Sequence, residues 1–524
     1  MWLTSWLRTR TANRFRQGSA QHRPAAPRLR PRLEALEDRM LPSTYTAGSV
    51  KDLIADLNAA NRTGGANTII LAPNTTFDLT AVNNTTNGAN GLPVIGGNKA
   101  SLTIIGNGDT IERSTASGTP AFRLFDVASG DALTLENVTL QNGLAQGASS
   151  AADGGAIYNQ GELSLSGVTV QNNVAQGSNG ADGVIESRLK SSQTVDILNG
   201  QAGADAAGGG IWSSGSVALQ GGTTLQGNQA LGGRGGAAGW LADGTAGNGG
   251  AGGSGFGGGL YEARGSVNGS GATLASNTAS GGDGGTLSPP FNGLSPHFAG
   301  AGGSGSGGGL YVAGGTLGLG SVSVQSNSAL GGGGGYGSDA QLDLFPGRGG
   351  DGSGGGVSVA GGTATLDTVG LLWNFAGGGT GGGASAGPTG SGGDGFGGGL
   401  YVAAGTVTMT NTTVSDNWAS GGDNAWDGFA ISPIPGYGEG GGIYNAGTLT
   451  LSGCTISDNV AQGDFYFGPA VNGEGGGIYN AASGTLDVTN GSTVISNHAA
   501  SGADLYNLGT ADISSDSTVG VIGP

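Results

Sequence analysis

The sequence is poor in most features that stabilise globular proteins or equip them for catalysis. Its 524 residues include one cysteine, Cys454, so no intrachain disulfide can form. Cys454 lies in the apolar run CTI and is expected to be a small buried hydrophobe. With only three histidines a Ser-His-Asp triad is improbable, and no GxxxxGK motif indicates a P-loop. No apolar run approaches the roughly 18 residues of a transmembrane helix.

Charge is scarce and unevenly distributed. Charged residues make up 10% of the chain, which leaves Asn, Ser and Thr to solvate the surface. The net charge is −17, yet nine arginines lie before residue 40. An acidic body argues against nucleic acid and anionic membranes as partners. A cationic N-terminal segment on an otherwise acidic chain indicates a processed or sorting segment, so residues 1–45 are predicted to be a disordered export segment.

What the sequence has in excess is glycine, with 117 residues. Much of it belongs to a repeated block of the form GGGIYNxGxLxL…N, in which a glycine triplet precedes an asparagine by about twenty residues. The distance from that asparagine to the next triplet varies widely. A rigid block with one variable insertion point is typical of a solenoid. The blocks begin at Gly154, Gly208, Gly257, Gly307, Gly354, Gly397, Gly440 and Gly475.

The repeat is a β-strand repeat, because apolar residues alternate with a period of two, as at Leu449 and Leu451. About twenty residues, at about 3.3 Å each, will wrap one coil of three short strands. Parallel crossovers are expected to be right-handed. The predicted fold is all-β, a right-handed parallel β-helix of about ten coils, with residues 151–524 as the repeat region. The glycine-rich insertions leave from one corner and are expected to form a mobile, low-complexity fringe.

Residues 46–150 are expected to form the N-terminal cap and the first coils. In SVKDLIADLNAAN, the residues Val50, Leu53, Ile54 and Leu57 have the spacing of an amphipathic helix, and Ser49 caps its start. An open apolar cylinder with unpaired edges needs such a plug against end-to-end association.

Stacking of identical coils predicts columns of like residues. An inward apolar column comprises Ile157, Ile211, Leu260, Leu310, Val357, Leu400, Ile443 and Ile478. Side-chain amides that stack from coil to coil can hydrogen-bond to one another, which makes the asparagines a structural ladder. The ladder comprises Asn173, Asn228, Asn277, Asn327, Asn374, Asn417, Asn459 and Asn497.

The residue after each inward Ile or Leu is expected to face outwards, and in all but one coil it is aromatic. This tyrosine stripe comprises Tyr158, Trp212, Tyr261, Tyr311, Tyr401, Tyr444 and Tyr479, and Ser358 interrupts it. Sugar rings stack on exposed aromatic faces, which makes the stripe a candidate binding surface. The alternative is that the rings stack on one another beneath the insertions.

Two carboxylate pairs are weak catalytic candidates. Glu439 and Glu474 each precede a glycine triplet on adjacent coils, and Asp416 and Asp458 each precede a ladder asparagine. Register would hold each pair about 5 Å apart, a separation that suits a retaining glycosidase. Repeats also produce such pairs by chance. The sequence predicts no metal site and no cofactor.

Three segments resemble known families. The order helix, NTIILA, SLTIIGN and LTLENVTL resembles bacterial pectin-lyase-like β-helix proteins. The GGAI-like block starts and terminal asparagines resemble the repeats of polymorphic outer-membrane proteins, which implies surface exposure and adhesion. RPRLEALEDRMLPS, at residues 30–43, resembles the LExLExR element of exported planctomycete proteins, which implies export.

These features favour a non-enzymatic protein at the cell surface, the outer membrane or outside the cell, engaged in adhesion or in binding a carbohydrate or another partner. The alternatives are a polysaccharide-active enzyme, either a glycosidase or a lyase, and a purely structural envelope spacer.

Overall fold

The computed structural model describes residues 42–97, 99–184, 198–241, 245–287, 297–337, 344–384, 389–424, 435–463 and 472–524. Almost all of the export segment expected at 1–45 lies outside the described residues. The first described strand, Ser43–Ala47, begins just before the boundary expected at residue 46. Parallel strands stack coil upon coil through the rest, and the predicted parallel β-helix is confirmed.

The largest sheet in the described residues has 23 strands, and each repeat coil contributes two neighbouring strands to this long sheet. Its strands are Ser43–Ala47, Ala66–Leu71, Thr76–Leu79, Ser101–Arg113, Ala132–Gln141, Glu162–Ser166, Thr169–Gln171, Ser216–Gln220, Thr224–Gln226, Ser266–Ser270, Thr273–Ala275, Thr316–Gly320, Ser323–Gln325, Thr363–Asp367, Gly370–Leu372, Thr406–Thr410, Thr413–Ser415, Thr448–Ser452, Thr455–Ser457, Thr485–Thr489, Thr493–Ile495, Thr510–Ile513 and Thr518–Val519.

An 11-stranded sheet, the tyrosine sheet, follows each glycine triplet in the described part of the chain. Its strands are Phe125–Val127, Ile157–Asn159, Ile211–Ser213, Leu260–Glu262, Leu310–Val312, Val357–Val359, Leu400–Val402, Ile443–Asn445, Ile478–Asn480, Leu505–Asn507 and Ile522–Gly523. Together with the long sheet it closes the cylinder around the apolar core.

Two narrower sheets carry the chain into and out of each insertion. The outgoing sheet contains Leu144–Gly147, Val174–Gly177, Gln229–Leu231, Thr278–Ser280, Ser328–Leu330, Phe375–Gly377, Trp418–Ser420 and Val460–Gln462. The returning sheet contains Ala206–Ala207, Gly255–Phe256, Gly305–Ser306, Gly352–Ser353, Gly395–Phe396, Gly438–Glu439 and Gly473–Glu474. His297–Phe298 and Leu344–Phe345 form a separate pair of strands, and Ser149–Ala152 is a short 3-10 helix.

The cylinder is filled by the predicted inward column, whose eight members are all fully buried. Cys454 lies in the same core and is 1% exposed. A helix, Val50–Thr63, covers the N-terminal end, and its residues Leu53 and Leu57 are buried in that core. The Ser49 hydroxyl caps this helix by accepting a hydrogen bond from the backbone N–H of Asp52. No helix among the described residues is long and apolar enough to cross a membrane.

The eight predicted asparagines form an unbroken hydrogen-bonded ladder inside the cylinder. In each step the side-chain amide and the backbone N–H both donate to the side-chain oxygen of the next asparagine, as Asn327 does to Asn374 at 3.0 Å. Asp504 ends the ladder, since one of its carboxylate oxygens accepts from Asn497 and the other from the N–H of Val521. The sequence repeat ends before Asp504, so the pattern alone did not reveal this last member.

The described parts of the glycine-rich insertions are ordered, which differs from the expected mobile fringe. Each insertion has an outgoing arm, which follows the outgoing sheet, and a return arm, which leads to the returning sheet. Backbone N–H groups at every third residue of an outgoing arm donate to carbonyl groups of the outgoing arm in the next insertion, as Gly232 does to Ser280 and Gly235 to Asp283, both at 2.8 Å. The return arm donates to its own outgoing arm with the same period, as Gly253 does to Gly233. Bonding between segments at every third residue is typical of an extended helix with three residues per turn.

The close approach of these arms explains why two of every three positions are glycine. A side chain at Gly253 would overlap the carbonyl oxygen of Ala204 in the preceding arm. The third position faces outwards and accepts other residues, such as Ala251 and Asp283. Asp283 also accepts a hydrogen bond from the N–H of Gly333, at 2.9 Å, and so satisfies an outward-pointing donor of the next arm. The described parts of the insertions are therefore a hydrogen-bonded, two-layered extension of the cylinder.

Candidate functional site

The tyrosine stripe follows the tyrosine sheet, and its rings stack on one another. Tyr158 and Trp212 lie 4.3 Å apart between centroids, and Tyr444 and Tyr479 lie 5.1 Å apart, with planes within 7°. Tyr506 stacks on Tyr479 and adds a member that the repeat pattern did not predict. The guanidinium of Arg123, itself fully buried, covers the far face of Tyr158 at 4.9 Å.

This stacking leaves few ring faces for a ligand. Inner rings such as Tyr261 and Tyr444 have a stacked ring on both sides, whereas Tyr311 and Tyr401 flank Ser358 and are stacked on one side only. Aromatic rings of the returning sheet pack against these two, Phe256 against Tyr311 and Phe396 against Tyr401. The break at Ser358 gives no opening, because that side chain is fully buried. Tyr158 and Tyr479 are buried and the other members of the stripe are half-buried, so the arrangement favours the structural alternative over sugar stacking.

The first carboxylate pair lies beside this stripe. Glu439 and Glu474 are register partners on adjacent strands of the returning sheet. Burial, together with the nearby carboxylates of Glu474 and Asp394, raises the pKa of Glu439 to about 8. Burial also raises the pKa of Glu474, although a hydrogen bond with Tyr506 opposes that effect. The raised pKa favours the protonated form of Glu439, and the repulsion by Glu474 that contributes to it arises when Glu474 is ionised. One protonated and one ionised carboxyl group are also what a retaining glycosidase uses, so the protonation state of this pair does not separate the two alternatives.

The second pair occupies an exposed corner. Asp416 and Asp458 directly precede ladder asparagines, and both have a left-handed backbone, with φ of 57° and 59°. Their side chains are solvent-exposed, and the Ser415 hydroxyl donates to Asp416. In the described part of the chain, no group of three or more His, Cys, Asp or Glu residues could hold a metal ion. The geometry of this pair is that of a polar turn.

The long sheet presents a flat, hydroxyl-rich outer face with no insertions. Its strands follow the tyrosine sheet in each coil and end at the asparagine corner, so the arms leave from elsewhere on the cylinder. Eight successive coils place Ser or Thr at the same register position, about 4.8 Å apart. This hydroxyl column comprises Ser216, Ser266, Thr316, Thr363, Thr406, Thr448, Thr485 and Thr510.

Four apolar side chains, two of them exposed and two half-buried, lie at the asparagine corner that ends this face. We call Leu372, Trp373, Phe375 and Trp418 the tryptophan platform. Trp373 is 57% exposed and Trp418 is 39% exposed. The rings of Phe375 and Trp418 meet edge to face, 5.7 Å apart, across a pair of register partners.

The platform was missed because sequence reasoning followed the columns that repeat. The sequence does contain a sign of the platform, because one block departs from the others at the position just before its ladder asparagine. Where the other repeat blocks carry Asn, Gly, Ser or Asp, one block carries Trp373. An alignment of the blocks to one another would have exposed this exception.

Comparisons with known proteins do not identify a function. No family model matches the chain, and no curated protein matches it. Among solved structures, the chain is similar to the A-module of the mannuronan C-5 epimerase AlgE4 from Azotobacter vinelandii, with 12% identity and a TM-score of 0.34. That match covers 91% of this chain and 100% of the other. Similarity at this level has no bearing on the chemistry of the surfaces described above.

Proposed function

We propose that this protein is an exported, non-enzymatic β-helix protein that binds polysaccharide through the outer face of its long sheet. The observation that carries the proposal is the hydroxyl column, which repeats over eight coils in constant register. A ligand that repeats along its own axis can contact many such coils at once, and many weak contacts then add up. Export is part of the proposal, and its support is the sequence element at residues 30–43.

The absence of catalysis is proposed on the surroundings of the carboxylates. Glu439 and Glu474 lie beside rings that stack on one another, and Tyr506, which stacks on Tyr479, hydrogen-bonds with Glu474. Asp416 and Asp458 lie on an open corner, where water has free access and little can preorganise a transition state. These surroundings favour binding over hydrolysis at both pairs.

Binding to a panel of insoluble polysaccharides tests this function. The protein is incubated with cellulose, chitin, xylan and cross-linked alginate, and the amount that sediments with each is measured against a resin without saccharide. Binding to at least one polysaccharide that soluble fragments of the same polymer compete away would support the proposal. Sedimentation with none of them would refute it and leave the envelope spacer as the better account.

A further inference from the structure

We propose that the tryptophan platform is the site at which a neutral polysaccharide stacks its sugar rings on this protein. The inference rests on the proposed function and names the place and the ligand class. Its basis is the presence of two exposed tryptophans, Trp373 and Trp418, on adjacent coils at the asparagine corner that ends the long sheet, with hydrogen-bonding side chains beside them.

The backbone at Trp373 is the first observation. Its φ is 52°, in the left-handed region, where the corresponding residues of the other blocks are Asn, Gly, Ser or Asp. A bulky residue at such a position is an outlier. Because the neighbouring coils show that small polar residues serve this turn, the turn itself does not require tryptophan. Strained residues of this kind cluster at ligand-binding sites.

The backbone that carries the platform is fixed by hydrogen bonds to the neighbouring coils. The backbone N–H of Phe375 donates to the carbonyl of Asn327 at 2.8 Å, and that of Trp418 donates to the carbonyl of Asn374 at 2.9 Å. The platform is thus fixed directly to the asparagine ladder. A backbone that is already fixed loses little conformational entropy when a ligand binds to the side chains it carries.

The neighbours of the platform point to a saccharide. On one side, Gln325 and Ser326 lie in the preceding coil, and on the other, Ser415 and Asp416 lie in the next. These amide, hydroxyl and carboxylate groups can bond to sugar hydroxyls while the ring carbons of the sugar lie over the aromatic faces. A protein partner would instead need an interface of about 1,000 Å² or more, with an apolar centre. At the tryptophan platform, by contrast, polar residues surround only a few aromatic rings.

The negative charge of the protein favours a neutral saccharide over an acidic one. The chain carries a net charge of −17, and Asp416 lies beside the rings. A polyuronate would meet like charge here, whereas a neutral polymer would not. Sugars with equatorial hydroxyls, as in β-1,4-linked glucan and chitin, present the flat apolar face that tryptophan can cover.

The test uses the full chain and two hexasaccharides, cellohexaose and chitohexaose, titrated by calorimetry. The site is altered by Trp373→Ser with Trp418→Val, which places at both positions the residues that other coils carry there, Ser326 and Val460. These substitutions are therefore expected to keep the fold. The matched control is Tyr336→Ser, which removes an aromatic side chain that is 61% exposed on an arm. Circular dichroism confirms that each variant is folded.

We expect at least one hexasaccharide to bind, the double variant to bind it about tenfold or more weakly, and the control to bind it unchanged. If the wild type and the double variant bind equally well, the inference is overturned while the proposed function stands. If the wild type binds only an anionic probe, hexagalacturonate, the assignment of a neutral ligand is overturned. If the wild type sediments with no polysaccharide and binds no hexasaccharide, the proposed function itself is refuted.

Discussion

Replacing one ladder asparagine tests how much the interior polar column contributes to stability. Asn327→Ala removes the side chain that accepts from both the backbone N–H and the amide of Asn277, at 3.0 and 2.9 Å. It also removes the donor to the carbonyl of Leu274, at 3.0 Å. These residues are fully buried, so no water replaces the lost partners.

The expected cost follows from counting the groups left without a partner. The two donors of Asn277, its backbone N–H and one hydrogen of its amide, are orphaned at about 1–3 kcal/mol each. These two donors alone make unfolding easier by about 2–6 kcal/mol, and the bond lost by the carbonyl of Leu274 adds to that figure. The free energy of unfolding is measured from urea titrations followed by circular dichroism. The matched control is Asn268→Ala, an exposed site whose register partner in the neighbouring coil is already Ala218. A loss within about 0.5 kcal/mol of that control would refute the reasoning.

Three further predictions concern the arms, the turn and the acids. Gly253→Ala should loosen its arm, because the new methyl group overlaps the backbone of the preceding arm. Ala251→Ser, at an outward-facing position, should not. The rates of amide hydrogen exchange across the insertion are compared between the two variants. Trp373→Asn should raise the urea midpoint by the equivalent of about 0.5–1 kcal/mol, since it relieves part of the strain of a left-handed backbone, and a lower midpoint would contradict this. Because the raised pKa of Glu439 favours its protonated form in the folded protein, stability should fall as pH rises from about 4.5 to about 8, by roughly 2–4 kcal/mol. Glu439→Gln should flatten that dependence, and an unchanged pH profile would count against it.

The cylinder was predictable from the sequence because its rules are local. Alternation placed Ile443 inside and Tyr444 outside, and the nearly constant distance from triplet to asparagine placed Asn459 in register with its neighbours. The helix at Val50–Thr63 could be recognised from apolar spacing and from its cap at Ser49. Each of these signals lies within about twenty residues of sequence.

The arms and the platform were harder because they depend on contacts between insertions or on a single exception. Gly232 bonds to Ser280 in the next insertion, and nothing near Gly232 indicates that partner. The three-residue spacing of glycines within each arm was present in the sequence, but low complexity concealed it. Trp373 breaks a column instead of forming one, so reasoning from repeats passed over it.

The central claim, that the protein binds polysaccharide without cleaving it, is tested most directly by one experiment on one sample. The full chain is incubated with each insoluble polysaccharide, and both the bound protein and the reducing ends released into solution are measured over time. We predict saturable binding to a neutral polysaccharide with no release above that of the polymer alone. Release that Glu439→Gln together with Glu474→Gln abolishes would contradict the account and establish an enzyme.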